Sequence, residues 1–164
     1  MDFKISQTDI LRTLMNKKDF IPIPSCFDAL SAKLIEQAKF DVTFMSGFAA
    51  SASRIGSPDL GLMTFSEVFD QAKNICNAIN IPMIVDGDTG YGNAMNVRRT
   101  LKECSKAGCA GILIEDQLAP KRCGHTPGKD VVEREEAFDR IRAASDMRSE
   151  GYDILIMART DANH

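Results

Sequence analysis

Short apolar runs alternate along the chain with longer stretches in which apolar residues recur at helical spacing. This alternation is typical of strands separated by helices around a parallel sheet, and it predicts an α/β fold. The predicted strands cover residues 21–24, 41–45, 81–85, 110–114 and 154–158. The predicted helices cover residues 7–18, 28–38, 65–79, 94–107 and 133–149. Residues 46–64 are rich in Gly, Ser and Pro and are predicted to form a loop.

Residues that favour helix ends support these boundaries. Asp28 and Thr64 stand at the starts of predicted helices, where their side-chain oxygens can accept hydrogen bonds from the first N–H groups. Glu67 follows Thr64 by three residues and completes a capping-box pattern. Gly108 and Gly151 follow the ends of later helices, where glycine readily adopts the left-handed conformation. Since no low-complexity linker or charge block interrupts the pattern, residues 1–164 are predicted to form a single domain.

The composition narrows the classes of protein and partner. The chain has 164 residues, of which 44% are hydrophobic and 26% charged, so it can bury one ordinary core. Its net charge is −3 and it has no basic stripe, which predicts no nucleic-acid partner. No stretch approaches the roughly 18 apolar residues of a membrane span, and the N-terminus lacks the apolar segment of a secretory signal. We therefore expect a cytoplasmic protein with reduced thiols and no membrane partner.

Cys123 is the first candidate for chemistry. It lies between the cation pair Lys121 and Arg122 and the imidazole of His125, and nearby positive charge lowers the pKa of a thiol and makes it reactive. A structural role stays open, because most cysteines in a chain with five of them are small core residues. Zinc is disfavoured, since Cys123 and His125 supply two ligands that are too close together and no matching second pair exists.

Carboxylates follow the predicted strands at the ends where parallel α/β folds place their working groups. Asp86 and Asp88 are two residues apart, so in an extended segment both would point the same way. With Glu115 after the next strand and Asp59 in the Gly/Ser/Pro loop, four carboxylates are expected to gather at one site. Oxygen-only ligation favours Mg²⁺ or Mn²⁺. The alternative, that such aspartates are helix caps and turn formers, is the one we favour for Asp116.

Four segments together resemble the isocitrate lyase and phosphoenolpyruvate mutase superfamily. Residues 121–125, Lys-Arg-Cys-Gly-His, resemble the signature loop of its carbon–carbon lyases. Residues 86–92 resemble its metal-binding segment, residues 46–47 its substrate-carboxylate turn, and residues 158–162 its strand-end arginine motif. They occur in the order of the family and extend over nearly the whole chain from residue 21, most closely in the manner of its methylisocitrate and alkylmalate lyases.

The resemblance implies a (β/α)₈ TIM-barrel fold, of which this chain supplies about the first five strands. It also implies a Mg²⁺-dependent carbon–carbon lyase that acts on a small 2-hydroxy di- or tricarboxylic acid of the 2-methylisocitrate or 2-alkylmalate type. Such an enzyme cleaves its substrate by a reverse aldol step into a 2-oxo acid and a second carboxylic acid. A small carboxylic acid is thus the expected partner. The remaining strands would belong to a longer protein or to another chain, and the full-length form is expected to be a homo-oligomer.

The resemblance further implies a role for each site residue. Asp86 would bind the metal directly, and three other carboxylates would hold it mainly through water: Asp59, Asp88 and Glu115. Cys123 would protonate the leaving enolate, with Lys121 and His125 keeping the thiol poised. The residues expected to hold substrate carboxylates are Ser46, Gly47, Gly124 and Arg159.

Other functions stay open. Within the superfamily, the alternatives are an oxaloacetate decarboxylase or a phosphoenolpyruvate or carboxyphosphonoenolpyruvate mutase. Cys123 argues against the mutases, because they usually lack the loop of residues 121–125, which we call the cysteine loop. Phe48 is bulkier than the residue expected for methylisocitrate cleavage and favours a different or broader substrate. A non-catalytic alternative is that the chain is an inactive fragment or a subunit of a split assembly, because five strands do not close a barrel.

Overall fold

A computed structural model describes residues 5–17 and 20–162 of the chain. The strands are β1 (Ser25–Cys26), β2 (Thr43–Met45), β3 (Met83–Asp86), β4 (Gly111–Glu115) and β5 (Leu155–Arg159). The helices are α1 (Gln7–Lys17), α2 (Ala29–Gln37), α3 (Gly47–Ile55), α4 (Phe65–Ala78), α5 (Ala94–Ala107) and α6 (Arg134–Ser149). The α/β class and the alternation of strands and helices predicted from the sequence are confirmed.

The five strands form one parallel sheet in the order β1-β2-β3-β4-β5, so every strand pairs with its neighbour in sequence. Helices α2, α4, α5 and α6 pack side by side in the same order against the sheet. This stepwise order is that of a barrel wall. All strands point the same way, so their carboxyl ends lie along one edge and bring the residues that follow them together.

Apolar residues are buried on both faces of the sheet. The larger cluster lies on the helix side and includes Val85 of β3, Ile112 of β4 and Leu101 of α5. Ile84 points to the opposite face, where it packs with Leu11 of α1. Helix α1 therefore covers the sheet on the face away from the other helices. Among residues 5–17 and 20–162, the structure contains no helix with the length and apolar character needed to span a membrane.

Most predicted helix ends are confirmed. Asp28 and Thr64 each cap their helix through a capping box, and Glu67 returns the bond to Thr64. Gly108 ends α5 with a φ of 95°, and Gly151, directly after the cap of α6, has a φ of 100°. The first helix was predicted to reach Lys18, which lies outside the described residues.

Two predicted elements are wrong. The first strand was predicted at residues 21–24 but forms at Ser25–Cys26. Prolines at positions 22 and 24 lack the N–H that a sheet ladder needs, so pairing begins only after them. The predicted loop 46–64 contains helix α3, which begins after Ser46 and ends at Gly56 with a φ of 63°. Its alanines are the strongest helix formers, and they outweigh the neighbouring serines.

Candidate functional site

Polar side chains gather where the strands end. Ser46 follows β2, Asp86 ends β3, Glu115 ends β4 and Arg159 ends β5. Glu115 and Arg159 are direct partners in the register of β4 and β5, and the guanidinium of Arg159 forms an ion pair with the Glu115 carboxylate. The sheet itself thus places an arginine beside a buried carboxylate.

A cavity of about 300 Å³ lies at this edge of the sheet. It brings together seven of the predicted site residues: Ser46, Asp59, Asp86, Cys123, Gly124, His125 and Arg159. Four others lie outside its lining: Gly47, Asp88, Glu115 and Lys121. Each of these four residues contacts a residue of the cavity lining, as described below. A larger, mainly apolar cavity of about 540 Å³ lies along α6 and includes Arg159 but none of the cysteine loop.

Asp86 and Asp88 lie on a tight turn rather than on an extended segment. The extended geometry expected from the sequence is wrong, because Asp88 adopts a left-handed conformation with a φ of 48°. The turn still joins the two residues, since the N–H of Asp88 donates to Asp86 Oδ1 at 3.1 Å. The N–H of Gly47 donates to Asp86 Oδ2 at 3.2 Å. In this structure the backbone donor expected to bind a substrate carboxylate therefore holds Asp86.

Gly47 is required by this close approach. A Cβ added at position 47 would lie 2.8 Å from Asp86 Oδ2, which is shorter than any ordinary contact. Ser46 caps helix α3, because its side-chain oxygen accepts the N–H of Ala49 at 3.2 Å. The same hydroxyl lines the cavity and keeps its own hydrogen for a ligand.

Lys121 joins two of the carboxylates. Its Nζ lies 2.6 Å from Asp59 Oδ1 and 2.5 Å from Asp88 Oδ1, and the side chain is only 6% exposed. Burial alone lowers the pKa of Lys121, but the charge of Asp88 and hydrogen bonds to Asp59 and Asp88 outweigh it, so the pKa is raised. Lys121 is therefore a permanent cation at the site. This pairing was not predicted from the sequence, where Lys121 was expected to keep the Cys123 thiol poised.

The remaining two carboxylates are short of positive charge. Burial, with the neighbouring charge of Asp88, raises the pKa of Asp86 to about 6. Burial raises the pKa of Glu115 to about 7, although Arg159 and Lys121 act in the opposite direction. Glu115 Oε1 is buried and has no hydrogen-bond partner. Both side chains would be ionised more readily beside a further cation.

The donor set fits a hard metal ion. Its donors are carboxylate oxygens, and one of them, Glu115 Oε1, is buried without a partner. Within residues 5–17 and 20–162, no three carboxylate, imidazole or thiolate groups are spaced to enclose an ion directly. Mg²⁺ keeps several waters and takes only one or two carboxylates from a protein.

The cysteine loop follows β4 and is fixed by a buried side chain. The Oε1 atom of Gln117 accepts the N–H of Arg122 at 2.9 Å, and its Nε2 atom donates to the Arg122 carbonyl at 2.9 Å. The carbonyl of Cys123 accepts both the N–H and the hydroxyl of Thr126, at 3.0 and 2.8 Å. The Cys123 side chain is 9% exposed and faces the cavity that Asp86 also lines.

Arg159 is held in place by two acids. Its Nε and Nη2 both donate to Asp161 Oδ2, at 3.1 and 2.9 Å, in addition to the ion pair with Glu115. The guanidinium lies against Gly124, where an added Cβ would be 3.5 Å from Nη2. Asp116 accepts the backbone N–H of Asp161 at 2.9 Å, so it ties the ends of β4 and β5 together. A structural role was expected for Asp116, although not this partner.

Two residues of the site were not predicted. Gln117 is a buried polar residue whose partners are set by the path of the loop, and no sequence pattern marks it. Arg140 of α6 is also buried and donates to the carbonyls of Glu115 and Gln117, both at 3.1 Å. Arg140 lies on the apolar helix face that includes Ala144, and a charge on such a face was a signal that could have been used.

Comparison with known proteins shows what this chain is similar to. The family model described as phosphoenolpyruvate phosphomutase matches residues 11–164. The chain is 46% identical over 152 residues to the 2,3-dimethylmalate lyase of Eubacterium barkeri, which covers 93% of this chain and 52% of that protein. It is 43% identical over 154 residues to the 2-methylisocitrate lyase of Halalkalibacterium halodurans, which covers 94% of this chain and 50% of that protein. The chain thus spans about half the length of these relatives.

Solved structures give the same picture. A crystal structure of 2,3-dimethylmalate lyase, a member of the phosphoenolpyruvate mutase/isocitrate lyase superfamily, matches with a TM-score of 0.91 and 40% identity. The match covers 97% of this chain and 54% of that one. Phosphonopyruvate hydrolase in complex with oxalate and Mg²⁺ matches with a TM-score of 0.85 and 32% identity over 96% of this chain and 53% of that one. These matches confirm the superfamily resemblance and the TIM-barrel fold, of which this chain supplies about half.

Proposed function

Because the chain belongs to the phosphoenolpyruvate phosphomutase family, we propose that it provides the active site of a Mg²⁺-dependent carbon–carbon lyase. The substrate is a small 2-hydroxy di- or tricarboxylic acid of the 2-methylisocitrate or 2-alkylmalate type. The products are a 2-oxo acid and a second carboxylic acid. One observation carries this proposal: the cavity of about 300 Å³ is lined by the carboxylates of Asp59 and Asp86, by the thiol of Cys123 and by Arg159.

The metal is held by the acidic side of the site. Asp86 would bind it directly, while three further carboxylates would act mainly through water: Asp59, Asp88 and Glu115. When bound, the ion supplies positive charge for the oxygens of the 2-oxo acid and the enolate. The shortage of positive charge at Asp86 and Glu115 supports this assignment. So does the similar phosphonopyruvate hydrolase, whose structure contains Mg²⁺ together with oxalate, a small dicarboxylate.

The substrate carboxylates are held by the positively charged and neutral donors of the site. Arg159 offers a planar guanidinium that suits a carboxylate, and its two acidic partners fix its direction. Ser46 offers a hydroxyl that is already oriented by its capping bond to α3. Gly124 leaves room for the guanidinium at the cavity wall. A dicarboxylate is thereby oriented at both ends.

Cys123 delivers the proton that completes the cleavage. In the reverse aldol step the 2-hydroxyl group loses its proton to solvent water and the carbon–carbon bond breaks, which leaves an enolate of the departing acid. The enolate carbon takes a proton from the Cys123 thiol, which lines the same cavity. The thiolate then regains a proton from solvent, for which the exposed His125 beside it provides a path.

The alternatives differ in their products. An oxaloacetate decarboxylase uses the same oxygen-binding groups, but its enolate is that of the pyruvate left after loss of carbon dioxide and not that of a departing acid. Phe48 is 54% exposed and lines the cavity, which favours a substrate other than 2-methylisocitrate itself or a broader range of alkyl groups. A mutase has no use for a thiol at the cavity wall. In a non-catalytic subunit, the convergence of these side chains would have no function.

The test is a panel of acids. The purified protein is incubated with 2-methylisocitrate, 2,3-dimethylmalate and oxaloacetate, each with Mg²⁺ or with EDTA, and the products are identified by mass spectrometry. We expect pyruvate with succinate from the first acid or pyruvate with propionate from the second, in the Mg²⁺ samples alone. Pyruvate and carbon dioxide from oxaloacetate alone would favour the decarboxylase. A folded protein that leaves all three acids intact would contradict the proposal.

A further inference from the structure

Gln117 forms an unusual contact with one residue of the cysteine loop. Its side chain is 1% exposed, and its amide both accepts from and donates to the backbone of Arg122. Nε2 also donates to Asp161 Oδ2 at 3.1 Å. A side-chain amide that pairs with the N–H and the C=O of the same residue acts as a strand partner would, so it fixes both peptide planes of Arg122.

The two neighbours of Arg122 carry the chemistry. Lys121 and Cys123 are both buried, whereas Arg122 between them is exposed. This alternation has the period of an extended segment, in which residues on either side of a given one point to the opposite face. Fixing the backbone of Arg122 therefore fixes the direction of Lys121, towards Asp59 and Asp88, and of Cys123, towards the cavity.

Arg140 supports the same frame from the helix side. Its guanidinium donates to the carbonyls of Glu115 and Gln117, and it pairs with Glu136 at 2.8 Å. The end of β4 is thus held by α6 at the point from which the Gln117 side chain extends.

We propose that Gln117 is a positioning residue that acts through the backbone of Arg122 to aim Lys121 and Cys123 into the site. The part that concerns turnover rests on the proposed lyase function. The part that concerns geometry does not rest on that function, because it predicts only how accessible the Cys123 thiol is.

Matched variants separate the effect of the Gln117 amide from that of the Arg122 side chain in the loop. Gln117→Met keeps the length of the side chain and removes every hydrogen bond, whereas Gln117→Glu keeps the oxygen that accepts from Arg122. Arg122→Lys is the control, since it changes an exposed side chain, keeps its positive charge near Cys123 and leaves both backbone groups in place. The readout is the rate of Cys123 alkylation by iodoacetamide, measured by peptide mass spectrometry on folded protein, together with kcat and KM.

Gln117→Met is expected to raise the alkylation rate at Cys123 by about tenfold, because the N–H and the C=O of Arg122 lose their partner and the loop opens more often. Gln117→Glu should fall between it and the wild type, and Arg122→Lys should match the wild type. In a form that turns over, Gln117→Met lowers kcat more than it raises KM. Unchanged alkylation in both Gln117 variants would overturn the proposal. If no acid is cleaved but alkylation changes as expected, only the lyase assignment fails.

A second inference comes from a pair of thiols at the other end of the sheet. The sulfur atoms of Cys76 on α4 and Cys109 before β4 are 3.8 Å apart. Both line a cavity of about 340 Å³ that α1 also borders through Gln7 and Thr8. The two segments approach closely there, since a Cβ on Gly108 would lie 3.9 Å from Cys76 Cβ. Cys76 is partly exposed and Cys109 is 2% exposed.

The geometry points to Cys76 and Cys109 as an oxidation site that hydrogen peroxide converts into a disulfide. The Cys76 sulfur attacks one peroxide oxygen, the O–O bond breaks, and a sulfenic acid and water form. The Cys109 sulfur then attacks the sulfenic sulfur, the S–O bond breaks, and a second water leaves as the S–S bond forms. Two thiols lose two electrons in all, and one peroxide is reduced to two waters. Closing the bond brings the sulfurs to about 2.05 Å.

The order of attack follows from the environment of each thiol. The hydrogen bond from Cys109 lowers the pKa of Cys76, whereas hydrogen bonds with Cys104 and Cys76 and burial raise the pKa of Cys109. Cys76, which is also the more exposed of the two, is therefore the group that meets peroxide first. Cys104 contacts Cys109 as well and is the competing partner for the second step.

Mass spectrometry after peroxide treatment tests the pair. Free thiols are blocked with N-ethylmaleimide and the digest is searched for linked peptides in the wild type, Cys76→Ser, Cys109→Ser, Cys104→Ser and Cys123→Ser. We expect a Cys76–Cys109 peptide, lighter by about 2 Da than its reduced parts, in the wild type and in the Cys104 and Cys123 variants. A Cys104–Cys109 link in the wild type, or full blocking of Cys76 and Cys109 at peroxide doses that oxidise Cys123, would overturn the proposal.

Discussion

Lys121 holds its ammonium nitrogen 2.5 Å from Asp88 Oδ1, inside the group of carboxylates that the sequence predicted to bind a metal ion. The same nitrogen lies 2.6 Å from Asp59, so a single protein cation compensates two of the buried acids. Asp86 has backbone N–H partners and Glu115 pairs with Arg159, and at both side chains burial outweighs these contacts and raises the pKa. Lys121 therefore neutralises Asp59 and Asp88 within the protein, whereas Asp86 and Glu115 would be stabilised as anions by an added cation.

Removing this lysine is expected to destabilise the fold. In Lys121→Gln, Asp59 and Asp88 stay buried without a cation, and breaking such a pair costs about 3 kcal/mol of the free energy of unfolding without Mg²⁺. Added Mg²⁺ should then stabilise the variant more than it stabilises the wild type, because the ion replaces the missing charge. Urea unfolding with Mg²⁺ or EDTA measures both effects, and Lys33→Gln is the control because Lys33 is exposed. Equal stability of Lys121→Gln and the wild type in EDTA would contradict the pairing.

The fold was largely readable from the sequence, and its failures have local causes. Strands β2 to β5 follow from short apolar runs, and helices α4, α5 and α6 follow from apolar periodicity, because each of these helices buries one face. The first strand was misplaced because two prolines imitate an apolar run but cannot pair. Helix α3 was taken for a loop because serine and glycine alternate with the alanines that form it.

The site was readable as a set of residues but not as a set of contacts. The rule that working groups follow parallel strands correctly brought Asp86, Cys123 and Arg159 to one cavity. It could not show that Lys121 pairs with Asp59, or that Gln117 holds Arg122, because these contacts depend on the path of long loops after the strands. The reason offered for the convergence of Asp86 and Asp88 was wrong, since a left-handed turn joins them.

Gly47 is predicted to tolerate no side chain. In Gly47→Ala the new carbon would lie 2.8 Å from Asp86 Oδ2, and relieving this overlap costs about 1–3 kcal/mol of stability. Displacement of Asp86 should also abolish the rise in melting temperature that Mg²⁺ produces in the wild type. Gly124→Ala is the matched control for stability, because its new carbon meets Arg159 at an ordinary 3.5 Å. Thermal melts with and without Mg²⁺ give both numbers; a Gly47→Ala protein that keeps the Mg²⁺ effect would refute the role of this contact.

Arg159 is predicted to act through the shape of its guanidinium as well as its charge. Lysine cannot reproduce the two bonds to Asp161 while also facing a substrate carboxylate, so Arg159→Lys should raise KM by about tenfold. The effect on kcat should be smaller, since the carboxylate is bound equally before and during cleavage. Steady-state kinetics on the best acid of the panel measures the split. Arg98→Lys, at a surface pair with Glu150, is the control, and a KM that changes no more in Arg159→Lys than there would contradict the assignment.

The ion pair between Arg12 of α1 and Asp153 gives a pH-dependent contribution to stability. The hydrogen bond from Arg12 lowers the pKa of Asp153 below its usual value, even though burial opposes it. A lowered folded-state pKa stabilises the fold above the unfolded value of about 3.9, and the contribution is lost as the pH falls through the folded value. Because both side chains are more than a third exposed, Arg12→Gln should cost only about 0.5 kcal/mol at pH 7. Urea unfolding at pH 7 and pH 3 should show this difference shrinking with acid; a constant difference would contradict it.

The most direct test of the account compares the wild type with Cys123→Ser, in a form of the protein that cleaves one of the proposed acids. The measurement is the rate of 2-oxo acid release with Mg²⁺, beside the shift in melting temperature that Mg²⁺ causes. A serine hydroxyl is too weak an acid to replace the thiol, and Cys123 is not a metal ligand in this account. We predict that Cys123→Ser abolishes release and keeps the Mg²⁺ shift of the wild type. Release at the full wild-type rate from Cys123→Ser would contradict the assignment of Cys123 as the proton donor.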